Sequence, residues 1–140
     1  MRFRIFLSIT VVAIGLALSG CDADHGRAAA ERAAADFHDQ FGKGDFAGIY
    51  AATDSDFKAS TPEKKFDALL EAIQTKLGKI QDTGEAQWTF NIMNQTKNVR
   101  LIFETKYDHG HAYEIFDFRI KDGQAVLRGY RIQSPTVALQ

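Results

Sequence analysis

The sequence predicts an α+β fold, with helices in the first half of the chain packed on a curved four-stranded antiparallel meander in the second. Two changes of period carry that expectation. Between residues 28 and 77 apolar side chains recur every three or four positions, the spacing of amphipathic helices. Between residues 85 and 133 they alternate with polar ones, the spacing of strands with one buried face. The third observation is Asp122-Gly123, a two-residue hairpin signal set inside the alternating region.

The helices follow in order. Ala30, Ala33, Ala34, Phe37 and Phe41 form one helical face, and Gly42 and Gly44 end it. Asp45 is placed to cap a short second helix whose inner stripe is Phe46, Ile49 and Tyr50. Residues 53–59 read as irregular, anchored by Phe57. Ser60-Thr61-Pro62-Glu63 then offers a capping residue, a first-turn proline and a glutamate three positions after Ser60. Phe66, Leu69, Leu70, Ile73 and Leu77 mark the buried face of that helix, with Gly78 as a left-handed stop.

The alternating region divides into strands at 85–94, 98–107, 112–121 and 124–133. A two-residue loop at His109-Gly110 pairs Phe103 with Phe116, Leu101 with Phe118 and Val99 with Ile120, keeping the apolar stripe on one face. The Asp122-Gly123 turn pairs Phe118 with Leu127, Ile120 with Ala125 and Phe116 with Gly129. Gly129 thus leaves room beside an aromatic ring, either for packing or as the edge of a pocket. The same register sets Glu114 against Arg131 on the core face, as a functional pair or as a rim salt bridge. On the outer face it gathers Tyr113, Ile115, Tyr130 and Ile132 into an apolar patch. That patch is either a contact surface for a protein partner or a second copy, or the seat of the C-terminal tail, residues 135–139.

Arg2 and Arg4 precede an almost wholly apolar run from Ile5 to Leu18, which ends in Leu18-Ser19-Gly20-Cys21. This is the layout of a secretory signal peptide, and the run is shorter than the roughly 20 apolar residues of a membrane span. Its last four residues resemble a lipobox. The resemblance implies cleavage before Cys21 and acylation of that cysteine by palmitate-like chains. Residues 1–20 are then a leader, residues 21–27 a lipidated cysteine with a short tether, and residues 28–140 a single domain. The implied place is the bacterial cell envelope, on the periplasmic (outward) side of the inner membrane or on the outer membrane. Asp22 resembles the inner-membrane retention residue of enteric bacteria.

Loss of Arg2 and Arg4 takes the net charge from −1 to −3, with no basic stripe, which argues against a nucleic-acid partner. The chain has eleven phenylalanines, enough to build an aromatic core, and one cysteine, so stability rests on packing rather than disulfides. No phosphate-binding glycine loop, zinc spacing or serine elbow is present, and no cofactor is expected. Asp108, His109 and His111 sit at a hairpin tip where the rings diverge, so no metal is expected there.

Five features together resemble small bacterial lipoproteins with a cystatin-like, or nuclear-transport-factor-two-like, fold. They are the helix Ala33 to Phe41, the Gly44-Asp45-Phe46 step into Ile49-Tyr50, the Phe57-Lys58 anchor, the helix ending Lys76-Leu77-Gly78, and the aromatic strands from Trp88. The resemblance implies a sheet wrapped round a helix as a cone, and it implies no agreed activity. Trp88, Phe103, Phe116 and Gly129 would line such a cone, with Glu114 and Arg131 at its rim and His38 at the helix edge. The leading expectation is a non-enzymatic module that binds an apolar molecule in the cone or a protein on the outer sheet. A small acid–base enzyme of isomerase, cyclase or hydrolase type is the alternative, requiring a buried acid or histidine. A periplasmic inhibitor or immunity protein, presenting Asp54, Asp56 and Glu63, is a third.

Overall fold

The structure is a computed structural model that describes residues 18–135 and 137–139. Most of the expected leader therefore lies outside the described residues. Among the described residues four helices precede five strands: α1 (Leu18–Lys43), α2 (Phe46–Ala51), α3 (Ser55–Ser60), α4 (Glu63–Leu77), β1 (Ile80–Thr83), β2 (Gln87–Met93), β3 (Thr96–Tyr107), β4 (Gly110–Lys121) and β5 (Gln124–Gln133). The strands form one curved, unclosed antiparallel sheet. β2 to β5 make the expected meander, while β1 pairs with the far end of β3 beyond β2. This fifth strand carries one apolar residue, Ile80, followed by three exposed ones, so it has no alternation to reveal it.

α1 begins at Leu18, twelve residues before the face read from sequence, and the expected tether, residues 21–27, is helical. The cause is packing. Gly26, Ala29, Ala30 and Ala34 are buried, and small side chains let the helix approach the sheet closely. A Cβ on Gly26 would stand 3.4 Å from Val99 and 3.5 Å from Ile120 and Phe90. Further along, Phe37 and Phe41 face inward and are buried. Among the described residues no helix is long and apolar enough to cross a membrane.

Asp45 caps α2 by accepting a hydrogen bond from Gly48 N at 3.0 Å. Residues 55–59, read as irregular, form α3 together with Ser60, capped by Asp54 and anchored by buried Phe57. Ser60 is spent at the end of α3, so α4 starts on Pro62 with no side-chain cap. Its inner face is Phe66, Leu70, Ile73 and Leu77, as the spacing predicts. At its end Gly78 adopts φ +82°, open to glycine alone at low cost. The β3–β4 turn docks there: Asp108 accepts from Lys79 N at 2.7 Å and from Gln81 Nε2 at 2.6 Å. A Cβ on Gly78 would lie 2.7 Å from that carboxylate. Gly78→Ala is therefore expected to cost about 1 to 3 kcal/mol, through strain and loss of the Asp108 dock. It should show as a lower urea midpoint at unchanged slope, and an unmoved midpoint would reject the account.

The register differs from the expected one in two places. The β3–β4 loop is Asp108-His109, closed by Tyr107 opposite Gly110. Phe103 therefore faces Glu114, Leu101 faces Phe116, and Val99 faces Phe118. A two-residue slip keeps every side chain on its face, which is why the apolar stripe survives it. Between β4 and β5, Phe118 faces Leu127 as expected, but Asp117 faces Gly129 and Phe116 faces Tyr130. Arg128 is thus the extra residue of a β-bulge, and every residue after it changes face.

Candidate functional site

The bulge rearranges the residues singled out from sequence. Tyr130 turns inward and is buried, while Arg131 turns outward to Asp117 at 3.6 Å. The expected Glu114–Arg131 pair and the outer patch containing Tyr130 and Ile132 therefore do not form. Ile132 packs against the core, opposite Glu114. Gly129 faces the outer side instead of Phe116, and its Cβ position lies 3.3 Å from Asp117. It lines an outer groove of about 390 Å³ with Arg100, Asp117 and Arg128. Trp88 lies half-buried beneath Arg27, whose guanidinium is 5.1 Å from the ring.

What the bulge assembles inside is a polar cluster in an aromatic core. Glu114, on the inner face of β4, is 1 % exposed. Its Oε1 accepts from Tyr130 Oη at 2.6 Å. Its Oε2 meets Thr105 Oγ1 at 2.5 Å and His38 Nε2 at 2.8 Å. Burial is the largest influence on this carboxyl and pushes its pKa up, but the bonds from His38, Thr105 and Tyr130 together outweigh it and hold Glu114 below its ordinary value. Glu114 is thus a carboxylate, which only accepts, so His38 carries its hydrogen on Nε2. Burial first, and then the Glu114 charge, raise the Tyr130 and Tyr107 pKa values far above the ordinary range, so both phenols stay protonated. Tyr107 Oη is buried beside this charge without a hydrogen bond of regular geometry.

His38 sits on α1 one turn beyond Ala34, and its ring meets Phe37, Phe103 and Phe116 at 5.5 to 5.9 Å. It faces the core rather than the helix edge. Phe116 is the hub of this layer, its ring 5.0 Å from Tyr130 and 5.1 Å from Phe37. The sequence held one signal of the arrangement. Apolar positions on β5 change parity between Leu127 and Tyr130, with a glycine between them, as a bulge requires.

Little interior space remains. A crevice between α1, α2 and β5, lined by Ala33, Phe37, Ile49, Phe118 and Leu127, encloses about 140 Å³. Small-molecule sites commonly span roughly 300–1,000 Å³. A shallow hollow of about 550 Å³ at the β3–β4 turn is bordered by Asp82, Glu104, Lys106, Tyr107 and His111. Among the described residues no three acids, histidines or cysteines are grouped to hold a metal. Asp54 and Asp56 are both tied to Arg119, at 3.1 and 2.6 Å, so they offer no free acidic loop to an enzyme cleft.

The chain matches no family model and no curated protein.

The outer sheet face keeps a smaller apolar strip. Tyr113 is 44 % exposed, with half-buried Ile115 and Ile102 beside it. The described tail residues pack elsewhere: Lys76 on α4 donates to Ala138 O at 2.6 Å, and Val137 and Leu139 pack against the core. Charged residues border the strip, where Arg100 holds Asp117 at 2.6 Å.

Proposed function

We propose that this protein is a non-enzymatic binding module of the bacterial cell envelope, held to a membrane by lipid on Cys21 and engaging a protein partner through the outer face of its sheet. The observation that carries the reading is the filled interior. The inner face of the curved sheet is occupied by the chain's own rings, and Glu114 among them has its oxygens engaged by the chain's own donors. A substrate entering would have to displace three hydrogen bonds as well as close-packed aromatics. The uncovered strip around Tyr113, with charges at its border, supports a surface contact instead. Exposed Cys21 in the first turns of α1 is compatible with acylation.

The test is capture from native membranes after mild crosslinking, with Tyr113→Asp as the comparison. A specific protein recovered by the wild type and lost by the folded variant is expected. An apolar molecule retained through purification, with no partner, would move the function into the core. The acid–base alternative keeps one point in its favour, the His38–Glu114 pair beside a hydroxyl with no regular bond. Turnover of any small substrate that disappears in both His38→Gln and Glu114→Gln would establish it.

A further inference from the structure

Three parts of the chain meet at one end of the molecule. Asp22, His25 and Gly26 from α1, Gln95 and Lys97 from the β2–β3 hairpin, and Asp122 and Gly123 from the β4–β5 turn surround a single hollow. Lys97 Nζ binds Asp22 at 2.8 Å, one residue from Cys21. Directly across the hairpin from Lys97 is Ile92, and Met93 follows it. These two are 59 % and 66 % exposed, the most exposed large apolar side chains among the described residues, with Tyr113 at the other end of the strand region. The hairpin turns through Asn94 and Gln95, both at positive φ, which thrusts the pair to the tip.

The apolar run Ile5 to Leu18 leads in sequence into α1. On the envelope reading, with that run replaced by lipid on Cys21 or retained as an anchor, α1 starts at a bilayer. We infer that the β2–β3 hairpin tip is a second membrane contact, with Ile92 and Met93 seated at the boundary between headgroups and acyl chains. The inference deepens the envelope reading and rests on its membrane attachment, though not on the lipid itself. The occupant is a lipid surface because the patch adjoins the point where the chain enters one. The charges at this end nearly balance, Asp22 with Lys97 and Asp122 near Lys121, so the contact is apolar and indifferent to salt. Two attachment points fix orientation where one would leave the domain free to swivel. β3 then runs from Thr96 near the bilayer to Tyr107 about 36 Å away, carrying the Asp108-His109 turn outward.

The experiment uses the full chain expressed in a bacterium, purified from membranes and reconstituted into vesicles of phosphatidylcholine brominated on the acyl chains. Met93→Trp and Ile92→Trp report at the tip and His109→Trp at the far end, each read against the unsubstituted chain and its Trp88. Bromine is expected to quench the added tryptophan about twofold at the tip, at the shallow depth of an interfacial contact, and to leave the far one bright. Vesicle-bound protein with no quenching at either tip position would overturn the inference and leave the attachment intact. So would equal quenching at both ends. Protein that does not float with the vesicles would sink both. The mass of the N-terminal peptide separates the lipid question: a retained leader would reject acylation of Cys21 while tip quenching still upheld the hairpin contact.

Discussion

Glu114→Ala is expected to destabilise the domain by about 3 to 5 kcal/mol, the cost of removing one partner from a buried charge network. Truncation leaves the Tyr130 and Thr105 hydroxyls and the His38 Nε2–H facing each other in an apolar layer with nothing to accept from them. Each buried donor left unsatisfied costs on the order of 1–3 kcal/mol, and the vacated volume adds a packing loss. Glu114→Gln fills the same space and keeps one accepting oxygen, so it should cost about half as much or less. The two variants also separate charge from shape in their pH dependence. Glu114 titrates below its ordinary value in the folded protein. Its contribution is therefore complete above the pKa of an unfolded glutamate, about 4.3, and is lost as the pH falls through the lower folded value. The wild type should lose more stability over that acid limb than Glu114→Gln does, so their unfolding free energies converge on acidification. His38, Tyr107 and Tyr130 face the carboxyl, and the two phenols stay protonated throughout that range. Parallel acid limbs measured by urea unfolding at pH 3 to 7 would show that Glu114 is not the group responsible.

Residues that obey one period along a whole element were legible in the sequence, and residues whose place depends on a break in the period were not. Phe66, Leu70, Ile73 and Leu77 repeat without interruption, and so does the stripe Val99, Leu101 and Phe103, because each lies on an element buried along one face. Even a misplaced β3–β4 turn left those faces intact, since the slip was two residues. The candidate site depended on a one-residue event. Arg128 inserts itself into β5, and this alone decides that Tyr130 bonds Glu114 while Arg131 leaves it. Reading β5 with uniform alternation put Arg131 inside and Tyr130 outside, which made Glu114 a rim ion pair instead of a buried acceptor. His38 departs from the expected helix-edge position for a related reason. A helix whose inner side is alanine suggests a narrow stripe centred on Ala30, Ala34, Phe37 and Phe41. The close approach at Gly26 and the rings of Phe103 and Phe116 beneath the helix place His38 against the sheet as well.

Phe116→Ala separates a filled core from an open pocket by the size of its effect. The ring is fully buried and stands between Phe37 from α1, Phe103 from β3, Phe118 along β4 and Tyr130 from β5. If those neighbours close-pack, truncation removes the transfer free energy of a benzyl group and leaves a void that four elements cannot collapse into together. The expected loss is then about 3 to 5 kcal/mol. If Phe116 lined a hollow already open to water or ligand, many of its contacts would be missing in the wild type, and the loss would be nearer the transfer cost alone, about 2 kcal/mol. The measurement is the unfolding free energy of both proteins by denaturant, with the slope checked for constancy. A loss at the upper end also creates an apolar chamber where none existed, and such chambers stay dry and admit benzene-sized molecules. Added benzene or indole should then restore part of the lost stability to the variant while leaving the wild type unmoved. Stabilisation of the wild type by the same probes, in proportion to their concentration, would mean that the core already holds a binding cavity, and the partner-binding reading would give way to a ligand-binding one.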